Sequence, residues 1–218
     1  VREYFLDIVR AIGAVPSTLQ MRFTVSADAE AWAESILRSH FLAEKKVLIG
    51  IHPGASGEYK IWPPENFASV LEGLRRDESV EVILFQGSGD DEIVHQISGR
   101  MNPPPLIVDT SMSLERLAAL MKRCHLCIVA DAGPRHVAAS VGTQTLALFR
   151  RTHAAAWRIY SEEEGNFILE SSKSCPHCPA EKCRDKTPAG EIFGAYCLRE
   201  ISVEDVLLRV QEILKKVR

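Results

Sequence analysis

The sequence predicts an α/β fold, a doubly wound parallel sheet, over residues 46–218. Two observations carry this expectation. Short apolar runs at residues 47–51, 80–85, 106–108, 126–130 and 145–149 are rich in Val, Ile and Leu and almost uninterrupted, the pattern of strands buried on both faces of a parallel sheet. Segments of helical periodicity separate these runs, and strand–helix alternation builds doubly wound sheets.

The elements follow in order. Residues 1–45 begin with a helix whose apolar positions are Tyr4, Phe5, Ile8, Val9 and Ile12, followed by a turn at residues 13–16. A short strand is expected at residues 21–25, then a helix carrying Trp32, Ile36 and Leu37. With no initiator Met ahead of it, this stretch reads as a connector from an upstream domain. After the first strand, Phe67, Val70, Leu71 and Leu74 recur at helical spacing behind Pro64, and proline suits the first helical turn. Further helices are expected from Ile93 to Ile97, from Leu114 to Met121, and from about Pro134. A last helix opens at Ser202, with Asp205 three residues on as a capping-box variant, and presents Val203, Val206, Leu207, Val210 and Leu214.

Composition narrows the function. Lys and Arg total 26 against 29 acidic residues, a net charge of -3, so the basic stripe of a nucleic-acid-binding module is not expected. No apolar run approaches the roughly 18 residues that suggest a membrane span. Nothing indicates secretion, so reduced thiols in a cytoplasmic setting are expected. Cys124 and Cys127 lie in a strand-like run and read as buried thiols.

In such sheets, ligands bind in the crevice outside the carboxyl ends of the strands, so the residues just after each run are informative. IHPGASGEYKIWPPENF follows the first run. Gly54 and Gly57 there allow close approach to a ligand and positive φ, Ser56 offers a hydroxyl, and Lys60 offers a point charge to a phosphate. A surface turn with a solvated lysine is the plainer alternative. In VADAGPRHVAASVGTQTLALF, a strand ends at Ala130, Asp131 follows, and Gly133 and Pro134 open a helix. That layout aims backbone N–H groups and a positive helix end at the crevice, suiting a pyrophosphate. His136 lies in the first turn. In LFQGSGDDEIV, Gly87 and Gly89 let the chain pass near a base or ribose, with Asp90 or Asp91 facing hydroxyls. Helix N-capping by Asp90 is the favoured alternative.

HPGAS with K-x-WP, a GxGDxE-like loop, and DxGPxHxAAxxGTxxxALF, in this order over about residues 47–217, resemble the family 9 glycosyltransferases. That family includes the heptosyltransferases of lipopolysaccharide core synthesis. The resemblance implies a Rossmann-like domain forming the C-terminal half of a GT-B enzyme. It would bind the donor, a nucleotide sugar such as ADP-heptose, for inverting transfer to a glycolipid acceptor without a cofactor. It places Ser56 and Lys60 on the pyrophosphate, Asp131, Gly133 and His136 at the diphosphate and sugar end, and Asp90 near the adenosine. The catalytic base belongs to the family's N-terminal domain, so no residue here is assigned that role. The setting implied is cytoplasmic, peripheral to the inner face of the inner membrane.

Two departures bear on the donor. Ala132 stands where Ser or Thr is usual, and Arg150 and Arg151 replace the glycine and proline of a common F-G-P-T, adding phosphate charge or remaining solvated. They keep open a non-catalytic nucleotide-sugar-binding module, beside another GT-B enzyme such as a UDP-sugar 2-epimerase. Cys175 and Cys178 have metal-knuckle spacing, and Cys183 and Cys197 would complete a structural zinc site. A disulfide and free or structural thiols are equally open readings.

Overall fold

The computed structural model describes residues 2–15, 18, 20–40, 47–111, 113–150, 160–172 and 197–215, with the side chains of 2–5 left aside. Helices α1 (Arg2–Ala11) and α2 (Ala27–Ser39) precede β1 (Val47–His52) and α3 (Pro64–Arg75). There follow β2 (Val80–Gln86), α4 (Asp91–Ser98), β3 (Leu106–Asp109), α5 (Leu114–Arg123), β4 (Leu126–Ala130), α6 (Gly133–Ser140), β5 (Gln144–Phe149), β6 (Asn166–Glu170) and α7 (Val203–Leu214).

The strands form one sheet in the order β3-β2-β1-β4-β5-β6, every neighbouring pair parallel. The apolar runs are continuous because alternate side chains enter two cores. Ile49, Ile51, Leu126, Ile128, Leu146 and Leu148 pack on one face with α3, α4 and α7. Leu48, Cys127, Val129, Ala147 and Phe149 pack on the other with α2, α5 and α6. Burying successive residues on opposite faces leaves no polar position to interrupt the run.

The expected doubly wound sheet is present, with differences in detail. β6 was not anticipated: only Phe167, Ile168 and Leu169 are apolar there, behind an acidic turn. Residues 21–25 form no strand; Phe23 donates one backbone hydrogen bond to the Ser140 carbonyl at the end of α6. The helix in the stretch read as a connector packs α2 against α5 and buries Ala29, Ala33 and Leu37 within the second core. At the other end, the Ser202 hydroxyl accepts from the Asp205 N–H (3.0 Å) and donates to its carboxylate (2.8 Å), capping α7. Among the described residues, no helix is long and apolar enough to cross a membrane.

Candidate functional site

Strand order fixes where a ligand belongs. From β1 the chain winds outward through β2 and β3, and from β4 it winds the other way through β5 and β6. The loops leaving β1 and β4 therefore part to opposite faces, opening a crevice at their carboxyl ends. His52 and Val129 are register partners beside it.

The loop after β1 carries Lys60 at the end of a short 3₁₀ turn, Glu58–Lys60. The turn is anchored two residues later by Trp62, which is 1% exposed. Its indole N–H donates to the Ile201 carbonyl (3.1 Å), and its ring meets Phe67 edge-on at 5.2 Å. From this anchored loop, Lys60 Nζ reaches 3.7 Å from Asp131 Oδ2, both side chains being largely buried. Two residues some seventy positions apart in sequence thus meet as the sequence pattern anticipates. Ser56 is exposed on the same loop.

Beyond Asp131, α6 opens with Ala132 at the N-cap and no side-chain cap, and with Pro134 in its first turn. Pro134 has no N–H, which leaves that of Gly133 leading the helix. A Cβ at Gly133 would meet nothing within 4 Å, so open space lies before a positive helix end. His136 Nδ1 shares a hydrogen bond with the Tyr160 hydroxyl (2.9 Å). Burial, together with the neighbouring Arg135 charge, lowers the His136 pKa, while Asp131 pulls it upward. The lowering favours the uncharged imidazole, a hydrogen-bonding group, over the cation.

Asp90 holds the position its sequence context suggests, but its carboxylate is used differently. It occupies the N-cap of α4 but makes no side-chain cap bond. Instead Oδ2 accepts from the Gly87 N–H (2.9 Å) and lies 3.6 Å from His52 Nε2, with Asp90 6% exposed and His52 5%. Burial lowers the His52 pKa against the opposing pull of Asp90. An added Cβ at Gly54 would fall 1.8 Å from Asp90 Oδ1, and one at Gly87 would fall 2.8 Å from Oδ2. These glycines let the β1 and β2 loops close over a buried carboxylate, a packing need read in the sequence as ligand approach. Neither Gly54 nor Gly57 has positive φ; in these loops Gly89 does, at 82°.

Arg150, beyond β5, is not solvated: it is 3% exposed, its guanidinium 4.6 Å from the Tyr59 ring centroid. Cys175, Cys178, Cys183 and Arg151 lie outside the described residues, and Cys197 is buried at the 3₁₀ turn before α7. Among the described residues, no group of three or more His, Cys, Asp or Glu is placed to hold a metal. Tyr59 and Tyr160 escaped the sequence reading, whereas His52 and Trp62 entered it only as members of HPGAS and K-x-WP, with no role of their own.

Comparison with known proteins bears on the family and the fold. Lipopolysaccharide heptosyltransferase 3 of Escherichia coli is 25% identical over 215 residues, covering 97% of this chain and 59% of that protein. A solved family 9 glycosyl transferase from Veillonella parvula superposes with a TM-score of 0.77 at 25% identity, over 97% of this chain and 59% of that one. The solved ADP-heptose LPS heptosyltransferase II of E. coli gives a TM-score of 0.69 at 20% identity, over 93% and 56%. The chain thus spans a little over half the length of these relatives. The family model for glycosyltransferase family 9 (heptosyltransferase) matches residues 7–187, and the chain belongs to that family.

Proposed function

We propose that this chain is the donor-binding half of an inverting GT-B glycosyltransferase, taking a nucleotide sugar at the crevice between β1 and β4. The observation that carries the reading is the Lys60–Asp131 pair standing before the uncapped start of α6. A lysine and the leading N–H and positive end of a helix at a topological switch point are suited to a diphosphate. Ser56 supplies a hydroxyl from the β1 loop, and His136 supplies a neutral hydrogen-bonding group beside Asp131. The buried Asp90 would shape the adenosine end through the loops packed on it. ADP-heptose is the favoured donor, since a neighbour of the same fold is a heptosyltransferase of that name.

In transfer, an acceptor hydroxyl attacks the anomeric carbon as the diphosphate departs with the bonding pair. The hydroxyl's proton passes to a base on a domain preceding the connector of residues 1–45. Lys60 and the start of α6 stabilise charge developing on the leaving group. Neither role needs a metal. A glycolipid acceptor would set the reaction at the cytoplasmic membrane face, within lipopolysaccharide core or related surface-glycan synthesis.

A second reading, a nucleotide-sugar-binding module without transfer, is favoured by Ala132, which leaves α6 without a side-chain cap. Calorimetric titration with ADP-heptose and with UDP-N-acetylglucosamine tests the donor assignment common to both. ADP-heptose is expected to bind the more tightly. Preference for the UDP-sugar would instead favour the epimerase-type reading. Heptose transfer by a longer protein carrying this chain separates transferase from module.

A further inference from the structure

The charges at the crevice do not balance. Lys60 and Asp131 offset one another, and His136 is held toward its neutral form. Arg135 lies on the α6 face with its guanidinium 4.9 Å from the Phe149 ring and 5.3 Å from that of Tyr160. Arg150 is left. In the sheet, β4 lies between β1 and β5. The contact between Arg150, following β5, and Tyr59, in the loop after β1, therefore crosses the carboxyl end of β4, where Asp131 and the start of α6 stand. The residue is 3% exposed, its Nε is without a hydrogen-bond partner, and among the described residues no carboxylate pairs with it.

A buried guanidinium lacking a counter-charge costs stability in the empty protein. The contact with the Tyr59 ring, 4.6 Å from guanidinium carbon to centroid, uses none of the N–H groups as hydrogen-bond donors, and a guanidinium presents these in a fork that matches phosphate oxygens. A diphosphate in the crevice would bring the missing negative charge.

We propose that Arg150 is a second cationic receptor for the diphosphate, donating to its oxygens from the β5 side while Lys60 and the α6 start hold it from the others. This rests on the donor-site reading above and adds a specificity-determining residue to it, at a position where the family pattern commonly has glycine.

The test is calorimetric titration of inorganic pyrophosphate, ADP and adenosine into the wild-type protein, Arg150→Met and Arg150→Lys. Arg150→Met should weaken pyrophosphate and ADP by about ten- to a hundredfold, the usual effect of losing a hydrogen bond to a charged group. Adenosine should be unaffected, and Arg150→Lys should fall between, keeping charge without the fork. The thermal midpoint of the ligand-free Arg150→Met protein should match or exceed wild type, which separates a lost receptor from a damaged fold. Unchanged pyrophosphate affinity, or equal weakening for adenosine and pyrophosphate, would overturn the proposal and leave Arg150 as a prop for the β1 loop. If pyrophosphate binding depends on Arg150 while ADP binds no better than pyrophosphate, the receptor stands and the nucleotide reading fails. If the wild type takes neither anion, both fail.

Discussion

Replacing Trp62 with alanine is expected to cost about 3–5 kcal/mol of folding stability, as removal of a large buried aromatic generally does. The indole is 1% exposed and packs edge-on against Phe67. Its N–H satisfies the Ile201 carbonyl just ahead of α7, so truncation opens a cavity and strands a buried acceptor. Domains of this size are stable by about 5–15 kcal/mol in total, so the loss consumes a large share. Urea denaturation measures it; a change below about 1 kcal/mol would show the packing there to be dispensable. Because Trp62 anchors the loop bearing Lys60, the variant should also bind ADP less tightly.

Lys60→Ala is expected to weaken ADP by about ten- to a hundredfold and leave adenosine unchanged. The lysine's charge is seen by phosphate, not by the nucleoside. Its removal also leaves the Asp131 carboxylate, 3.7 Å away in the wild type, facing the diphosphate without an intervening cation. That repulsion places the effect toward the upper end of the range. Calorimetry with both ligands decides: equal weakening of ADP and adenosine would assign Lys60 to loop structure.

The sheet was legible because burial on both faces writes a distinctive pattern, which β1, β2, β4 and β5 carry, while the edge strand β3, with only Val108 buried, still shows a run of three apolar residues. β6 was hidden because an edge strand with Ile168, Leu169 and Glu170 only half-buried needs no long apolar run. Likewise the apolar residues at 21–25 suggested a strand, yet Phe23 makes a backbone bond to the end of α6 instead of to a neighbouring strand. The meeting of Lys60 and Asp131 followed from topology alone, since residues after adjacent parallel strands share an edge. What one sequence does not carry is the direction in which a loop residue turns. Asp90 turns inward to Gly87 in its own loop and to His52, and Arg150 turns across β4 onto Tyr59; the contacts with His52 and Tyr59 join segments distant in sequence. Gly54 shows the same limit: its small size was plain, but the atom it makes room for was Asp90 rather than a ligand.

Recognition of a diphosphate without a divalent cation is tested most directly by titrating ADP in EDTA and in magnesium. The adjacent acids Asp90 and Asp91 are engaged elsewhere, Asp90 with Gly87 and Asp91 with Gln86 (2.8 Å). In the proposed site the diphosphate would be left to Lys60, Arg150 and the start of α6, groups already in place in the ligand-free protein. Affinity for ADP should therefore be the same in EDTA as in magnesium, and should fall as added salt screens the cations. Binding that appears only with magnesium would contradict the metal-free site and the roles assigned to Lys60 and Arg150.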